Sequence, residues 1–365
     1  MPPKVAVIGS GNWGTTVARI VAGNVVASPE LAEFEREVPM YTFEETLDDG
    51  RRLTEVINRY HQNVKYLPGV ILPDNVRAVA DPAEAAAGAT VLLLTSPHQF
   101  LPEILAQIAT AVTPEQRPHL CAVNLAKGLH FDEARGVLLR MSELAGELLE
   151  LPATRLAALS GPNVAPEIAA GHPAEASLAA QSPVLRQQLA ALFRTPSFAI
   201  RPSADVVGVE MGGALKNIVA IAAGLVDGFE MGYNTKATVI RLGMEEMYRF
   251  ACLPELGNPP QRATFDGPAF LGDVLTTCYG GRNRRYGEEV GRDFKQGRKP
   301  MPVEDFERVV LRGQKVQGYR TTQECMHFLE RLGKETDFPL FATVRNAIEH
   351  ATDPRESLQE ILHAS

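Results

Sequence analysis

Residues 4–14 read KVAVIGSGNWG, and this stretch decides the fold of the first half of the chain. Residues 4–8 form a short β-branched run that predicts a strand, and residues 15–22 have the alanine, valine and isoleucine content of a helix. Between them, Gly9, Gly11 and Gly14 have the spacing of a dinucleotide-binding turn. Such glycines allow a tight turn, close approach of the backbone to a pyrophosphate, and close packing of helix on strand. The stretch therefore predicts dinucleotide binding at the amino terminus of a helix.

The alternation of strand and helix continues along the chain. Further strands are predicted at residues 39–43, 91–95, 120–125 and 156–159, and helices at residues 53–60, 102–111 and 134–149. This order is typical of an α/β fold with a doubly wound parallel sheet and right-handed crossovers.

The pattern changes after about residue 202. Long helical segments without an evident strand follow, at residues 206–229, 235–253, 303–311 and 321–332. Pro202 and Ser203 mark the boundary. We therefore expect a Rossmann-like dinucleotide-binding domain at residues 1–202 and an all-helical substrate-binding domain at residues 203–365, with a site in the cleft between them.

The composition excludes several classes of protein. A content of 45% hydrophobic and 22% charged residues is typical of a soluble globular chain, and a net charge of -8 argues against a general nucleic-acid surface. The four cysteines show neither metal-ligand nor disulfide spacing. No run approaches the roughly eighteen apolar residues of a membrane span, and the amino terminus leads into a strand rather than a signal peptide. We expect a cytoplasmic protein with no metal, no nucleic-acid partner and no membrane span.

Lys216 is the most informative single residue, because residues 211–225 are otherwise free of charge. A buried ammonium group needs a functional or ionic reason. Burial lowers the pKa of a lysine, and a nearby carboxylate such as that of Asp273 favours the charged form. This combination suits a general acid that gives a proton to an alkoxide as hydride arrives at the carbonyl carbon. A structural ion pair, or an aspartate that only caps a helix, is the alternative.

A cluster of donors follows in the segment 277–285, which is predicted to be a loop rich in glycine and arginine. Thr277, Arg282 and Asn283 offer a hydroxyl, a forked guanidinium and an amide, which together suit a phosphate dianion. Gly280 and Gly281 permit the backbone to approach a ligand closely. The alternative is a solvated basic surface.

Three further residues follow predicted strands at the edge of the sheet where doubly wound folds bind ligands. Phe100 is predicted to contact the cofactor, or else to pack in the core beside a helix. Lys127 is predicted to face the cleft, or else to be an ordinary surface lysine. Asn163 is predicted to offer its amide to a substrate, or else to cap a helix.

Two pairs of residues bear on cofactor choice and closure. Glu44 and Glu45 end the second predicted strand, where an acid accepts from the ribose 2′-hydroxyl and thus favours NAD over NADP. Lys315 and Gln317 lie in a glycine-flanked segment that either closes over the cofactor or forms a mobile surface loop.

With these residues in place, the chain resembles the NAD-dependent glycerol-3-phosphate dehydrogenases of the eukaryotic cytosolic type. The resemblance rests on GSGNWG at 9–14, NVKYLPG at 63–69, PHQF at 97–100, GALKN at 213–217 and TTCYGGRN at 276–283. It covers nearly the whole chain, and the last two motifs are specific to the family. It implies reversible reduction of dihydroxyacetone phosphate by NADH in a homodimer with a Rossmann domain and a helical substrate domain.

The resemblance also implies roles for single residues. The catalytic residue is Lys216, with Lys127 and Asp273 as its partners. The substrate ligands are Asn163, Asn217, Thr277, Arg282 and Asn283. The cofactor contacts are Gly9, Gly11, Asn12, Trp13, Gly14, Phe43, Phe100, Lys127, Arg282, Lys315 and Gln317. Two segments depart from the pattern: residues 160–163 resemble the bacterial form, and residues 229–233 replace a glycine-rich segment, so the subgroup stays open.

Two other functions compete with this interpretation. A 3-hydroxyacid or 6-phosphogluconate dehydrogenase shares the two-domain plan and the helix lysine, but residues 280–283 argue against it. A catalytically silent NADH-binding regulator is the alternative from another class. Because a pure sensor needs no proton donor, the presence of Lys127, Lys216, Asp273 and Arg282 disfavours that alternative.

Overall fold

The computed structural model describes residues 2–364, which form two compact units. The sheet unit comprises the residues up to Ala126 together with Met141–Val209. The helical unit comprises Lys127–Arg140 together with the residues from Glu210 on. The division into a dinucleotide-binding domain at residues 1–202 and a substrate-binding domain at residues 203–365 stays a prediction. The structure adds that Lys127–Arg140 packs with the helices.

The sheet unit is built on eight strands. They are β1 (Val5–Ile8), β2 (Val38–Tyr41), β3 (Val76–Val79), β4 (Val91–Leu94), β5 (Cys121–Asn124), β8 (Leu156–Ser160), β9 (Ala174–Ala180) and β10 (Phe198–Ser203). Their order across the sheet is β10-β9-β8-β5-β4-β1-β2-β3. All neighbours are parallel except β8 and β9, which are antiparallel.

Seven helices accompany this sheet. They are α1 (Asn12–Ala27), α2 (Leu53–Tyr60), α3 (Pro82–Ala86), α4 (Leu101–Ala111), α5 (Met141–Leu149), α6 (Ala165–Ala169) and α7 (Pro183–Phe193). In β1 to β5 and β8 every residue except Arg77 is buried, as in a sheet covered on both faces, whereas the edge strand β10 alternates between buried and exposed residues along most of its length. The predicted α/β, Rossmann-like fold is confirmed. Strand order reverses between β1 and β4, and a doubly wound sheet binds its ligand at such a point.

Several predicted elements need correction. Strands β3, β9 and β10 were not predicted, and β9 has the sequence AEASLAA, whose alanines favour a helix. Its pairing with β8 and β10 overrides that preference. The predicted helix at residues 134–149 is wrong in its first part, because Gly136, at a φ of +68°, turns the chain back into a strand. The helix begins only at Met141.

The described part of the helical unit contains one hairpin and eight α-helices. The hairpin strands are β6 (Leu129–Asp132) and β7 (Val137–Arg140), which pair antiparallel. The helices are α8 (Val206–Gly228), α9 (Tyr233–Ala251), α10 (Asp273–Tyr279), α11 (Arg282–Lys295), α12 (Val303–Val309), α13 (Gln317–Leu332), α14 (Pro339–Ile348) and α15 (Arg355–Ala364). The hairpin comes from residues before 202, so the helical character predicted for residues 203–365 holds within the described part of that range except at Ser203, which ends β10.

Helix α8 is the core of the helical unit. By length and composition it is apolar enough to cross a membrane, so the expectation that no run approaches a span is wrong on those criteria. However, 89% of its most apolar window is buried inside the protein, as expected for a core helix. Glycines bring α8 and α11 close together: a Cβ at Gly291 would lie 2.7 Å from the Leu225 carbonyl oxygen, and one at Gly224 would lie 2.8 Å from the Glu288 nitrogen.

The described residues give no sign of metal or disulfide chemistry. The four cysteines are free thiols. Within residues 2–364, no group of three or more His, Cys, Asp or Glu side chains is arranged to hold a metal ion.

Candidate active site

The glycine turn between β1 and α1 has no room for side chains at two positions. Gly9 has a φ of +127°, and a Cβ there would lie 2.6 Å from the Ser96 nitrogen. A Cβ at Gly14 would overlap the Gly9 carbonyl oxygen. Gly11 caps α1, whose first turn carries no acidic residue. The backbone at this helix terminus is therefore shaped and polarised to receive an anion such as a pyrophosphate.

Aromatic residues follow the two strands that flank β1. Phe43 follows β2 and is 70% exposed, and Phe100 follows β4 and is 46% exposed. Because parallel strands end at the same edge of a sheet, both residues belong to the edge that carries the glycine turn. The exposure of Phe100 excludes the buried-core alternative. Trp13, in contrast, packs edge-on against Phe198 with ring centroids 6.3 Å apart, and Asn12 Oδ1 accepts from the Trp13 N–H at 2.8 Å.

The carboxylates of Glu44 and Glu45 already have partners within the sheet unit. Glu44 accepts from the Thr54 N–H at 3.2 Å and from the Thr54 hydroxyl at 2.6 Å. Glu45 accepts from the Tyr66 hydroxyl at 2.5 Å and pairs with Lys65. Both acids therefore also serve local structure, and the preference for NAD that the sequence assigns to them stays a prediction.

Asn163 lies just after β8 and does not cap a helix. The cap residue of α6 is Val164, and no side chain bonds at that cap. Both amide atoms of Asn163 are buried, and neither has a hydrogen-bond partner among residues 2–364. Buried polar atoms nearly always have a hydrogen-bond partner, so the Asn163 amide is an exception within the described residues.

In the helical unit, Lys127, Lys216 and Asp273 meet. Asp273 is almost fully buried and begins α10. One carboxylate oxygen pairs with Lys216 Nζ. The other accepts from Lys127 Nζ at 2.5 Å. The predicted contact between Lys216 and Asp273 is therefore present. Lys127, which lies just before the hairpin and is distant from both residues in sequence, adds the second cation that the resemblance implies.

The backbone explains how Asp273 reaches Lys216. Gly212 lies one helical turn before Lys216 on the same face of α8. A Cβ at Gly212 would lie 2.7 Å from the Ala269 carbonyl oxygen. Ala269 belongs to the π-helical turn Pro268–Gly272, which leads directly into α10. The close approach at Gly212 thus brings the start of α10 alongside Lys216.

Burial sets the protonation of Lys216. It lowers the pKa of this lysine from 10.5 to about 7, with Asp273 opposing the shift and Lys127 adding to it. A pKa near neutrality is the value at which a group serves both as proton donor and as proton acceptor.

Next to Lys216, Asn217 is held by Asn283. Asn283 Nδ2 donates to Asn217 Oδ1 at 2.8 Å, and Asn283 Oδ1 accepts from the Gly318 N–H at 2.9 Å. Gly318 has no room for a side chain, because a Cβ there would lie 2.7 Å from the Asn217 carbonyl oxygen. Asn217 Nδ2 is buried and has no partner among the described residues. Asn283 therefore fixes the orientation of the Asn217 amide.

Arg282 lies at the first position of α11, not in a loop as predicted. Gly281, at a φ of +92°, separates α10 from α11. Burial lowers the pKa of Arg282, with Glu307 opposing the shift, but a guanidinium stays charged in proteins. Its side chain has no hydrogen bond or ion pair within residues 2–364. Thr277 is also buried, with its hydroxyl 3.9 Å from the position of a Cβ at Gly281.

Lys315 and Gln317 lie where α13 begins. Lys315 Nζ donates to Glu307 Oε2 at 2.7 Å, and the Val316 N–H donates to Glu307 Oε1 at 2.8 Å. Gln317 is the first residue of α13. The sequence analysis missed Glu307 and Gly318, because an acid on an amphipathic helix and a glycine near a helix start carry no distinctive local signal.

Two family profiles match the chain. One is described as the NAD-dependent glycerol-3-phosphate dehydrogenase N-terminus and matches residues 4–185. The other is described as the C-terminus of the same enzyme and matches residues 205–359. Together they cover both units.

Individual relatives agree with these profiles. The cytoplasmic glycerol-3-phosphate dehydrogenase [NAD(+)] of Homo sapiens is 42% identical over 341 residues, which covers 93% of this chain and 92% of the human protein. That of Drosophila virilis is 40% identical over 353 residues, with 97% and 94% covered. The solved glycerol-3-phosphate dehydrogenase of Saccharomyces cerevisiae is 36% identical, covers 99% of both chains and has a TM-score of 0.83.

Proposed function

The chain belongs to the family of NAD-dependent glycerol-3-phosphate dehydrogenases, and we propose that Lys216 is the general acid and base of its reaction. The reaction is the reversible interconversion of dihydroxyacetone phosphate and sn-glycerol 3-phosphate, for which NADH supplies the hydride when bound. In the direction of reduction, Lys216 donates a proton to the oxygen that gains negative charge. In the reverse direction it accepts that proton. The observation that carries this assignment is the burial of Lys216 beside Asp273, which gives Lys216 a pKa of about 7.

Asp273 and Lys127 are proposed to hold and tune Lys216. The Asp273 carboxylate bridges the two lysines through its two oxygens, which fixes the direction of the Lys216 side chain. Burial is the main cause of the low pKa of Lys216, and Lys127 lowers it further, since two neighbouring ammonium groups repel each other. With Lys216 protonated, the three groups carry a net positive charge, which favours an anionic substrate and a developing alkoxide.

Arg282 is proposed to bind the substrate phosphate, together with three other donors. Asn217 Nδ2 and the Thr277 hydroxyl lie in the same unit, and the first N–H groups of α11 add the positive end of a helix dipole. A phosphate dianion would give the buried guanidinium and the orphaned amide the partners that both lack. Asn283 contributes by orienting Asn217 rather than through its own amide.

The sheet unit is proposed to bind NAD. Gly9, Gly11 and Gly14 shape the turn for the pyrophosphate, and Phe43 and Phe100 offer exposed rings at the same edge. Asn12, Trp13, Lys127, Arg282, Lys315 and Gln317 stay further proposed cofactor contacts, and Asn163 a proposed substrate contact. Residues 1–202 as the dinucleotide-binding domain and residues 203–365 as the substrate-binding domain stay a proposal, in which Asn163 and Arg282 each contribute to the other domain's ligand.

Location and assembly are proposed from the relatives and from the resemblance. The human and Drosophila virilis relatives are named as cytoplasmic enzymes, and we propose the same location for this protein. A homodimer is proposed from the family resemblance.

An absorbance assay tests the function directly. NADH oxidation is followed in the near ultraviolet with dihydroxyacetone phosphate, beside NADPH and beside unphosphorylated dihydroxyacetone. Rapid oxidation is expected only with NADH and the phosphorylated ketone. Absence of oxidation, with NADH binding still measurable, would instead favour a regulator or another substrate.

A further inference from the structure

We propose that Asn63 is a positioning residue for the cofactor pyrophosphate, acting through the carbonyl group of Ser10. The proposal rests on the assignment of NAD to the glycine turn. Asn63 lies in none of the strands or helices and is fully buried. Its amide group reaches across more than fifty residues of sequence to the turn that follows β1.

Three hydrogen bonds fix the Asn63 side chain. Its Nδ2 donates to the Ser10 carbonyl oxygen at 2.8 Å and to the Thr15 hydroxyl oxygen at 2.9 Å. Its Oδ1 accepts from the Tyr66 N–H at 3.1 Å. The Thr15 hydroxyl in turn donates to the same Ser10 carbonyl at 2.9 Å. Two donors therefore hold one carbonyl oxygen in the interior of the sheet unit.

The peptide plane transmits this constraint to Gly11. In a trans peptide the C=O of one residue and the N–H of the next point in opposite directions. With the Ser10 oxygen held inward, the Gly11 N–H points away from the interior. It donates to no group among residues 2–364, Gly11 is exposed, and the space at its Cβ position is open for at least 4 Å. The amide is thus left available for an anion at the start of α1.

Rotation of this peptide would reverse the polarity of the site. The Ser10 carbonyl oxygen would then face the anion, in place of an N–H donor. A negative pyrophosphate is attracted by the donor and repelled by the oxygen. The Asn63 side chain opposes that rotation, and it is itself anchored through residue 66, whose hydroxyl donates to Glu45.

A neutral substitution with a matched control tests this role. Asn63→Leu keeps the approximate size of the side chain and removes both donors without adding charge. Asn24 is the control. It lies near the carboxyl-terminal end of α1, far from the glycine turn, and its Nδ2 also donates to two carbonyl oxygens, those of Leu192 at 2.8 Å and Arg194 at 3.0 Å. Thr15→Val is a second variant, which removes only the hydroxyl donor to Ser10.

Equilibrium binding of NADH is measured by titration on protein shown to be folded by thermal unfolding without ligand. We expect the Kd to rise about tenfold in Asn63→Leu, which corresponds to a loss of about 1.4 kcal/mol. A severalfold rise is expected in Thr15→Val and no change in Asn24→Leu. Should Asn63→Leu fail to fold, the Thr15→Val result decides. The KM for NADH should rise with the Kd, while kcat changes little.

Competition by ADP and by adenosine separates positioning of phosphate from general damage. Asn63→Leu should weaken the binding of ADP, which carries a pyrophosphate, and leave the binding of adenosine unchanged. Equal weakening of both, or an unchanged Kd for NADH in Asn63→Leu and Thr15→Val, would overturn the role of Asn63. If the unsubstituted protein binds no NADH at all, the cofactor assignment itself fails, and this inference fails with it.

Discussion

The glycine turn of the sheet unit and the Lys216 cluster of the helical unit form their sites in opposite ways. At the turn, Gly9 and Gly14 leave no room for a side chain, and main-chain groups are proposed to face the ligand. At the cluster, buried charged side chains meet on a scaffold of apolar helix. The first kind of site should fail when atoms are added, and the second when atoms are removed. Substitutions at the two sites therefore test this contrast.

Removal of the Lys216 amine should have the largest effect. Lys216→Ala is expected to lower kcat by about 10²- to 10⁴-fold, the usual contribution of a general acid. The Kd for NADH should stay unchanged, because Lys216 is not among the proposed cofactor contacts. Steady-state kinetics and NADH titration measure the two quantities. Lys236→Ala is the matched control, since Lys236 is also a buried lysine paired with an aspartate, Asp227, at 2.7 Å; equal losses in both variants would contradict the assignment.

Removal of the Arg282 guanidinium should have the next largest effect. Arg282→Ala is expected to raise the KM for dihydroxyacetone phosphate on the order of 10- to 100-fold, as for loss of a charged hydrogen bond. The KM for unphosphorylated dihydroxyacetone should hardly change. Arg284→Ala serves as control, because Arg284 is already engaged by Asp227 and Glu288. A similar rise for both substrates would remove the phosphate role.

Addition of a methyl group should distinguish two glycines of the turn. Gly14→Ala is expected to lower both the melting temperature and the affinity for NADH, because the new Cβ overlaps the Gly9 carbonyl oxygen. Gly11→Ala has free space and should leave the melting temperature of the free protein unchanged, while it weakens NADH binding severalfold. Thermal unfolding and titration test this. Normal NADH binding by both variants would show that the turn does not approach the cofactor.

The smallest expected effect is a shift in pH dependence. Reduction of dihydroxyacetone phosphate needs protonated Lys216, so kcat/KM for reduction should fall as pH rises through about 7. For oxidation of glycerol 3-phosphate, kcat/KM should rise over the same interval. In Lys127→Met, loss of the neighbouring positive charge favours protonated Lys216, so its pKa rises and both profiles move to higher pH. Profiles that stay in place, or move to lower pH, would exclude Lys127 as the group that tunes Lys216.

The sequence predicted those elements whose local pattern agrees with their tertiary surroundings. The helix Leu53–Tyr60 was predicted with the bounds it has, because its apolar residues recur at helical spacing. The strand Ala174–Ala180 was not predicted, because its identity depends on partners that are distant in sequence. The hairpin Leu129–Asp132 and Val137–Arg140 was missed since its turn lies inside an apparent helical pattern.

The candidate site divides in the same way. Charge arguments alone led to the contact of Lys216 with Asp273, because an ammonium group in an apolar helix requires a counterion. No comparable argument applies to Asn63, Glu307 or Gly318, because each of them makes a hydrogen bond to a residue that is distinctive only in the folded chain. The structure also gave Glu44 and Glu45 local partners, which a single sequence does not reveal.

The path of the chain limits how this protein could be divided or recombined. The segment Lys127–Arg140 is encoded between strands of the sheet unit, yet it belongs to the helical unit. A gene cut at residue 202 would therefore encode a carboxyl-terminal fragment that contains the ion pair of Asp273 with Lys216 but not the one with Lys127. In a chimera of two related enzymes joined at residue 202, Asp273 would come from one enzyme and Lys127 from the other. Modular evolution at this junction is thus expected to preserve the hairpin and its contact together.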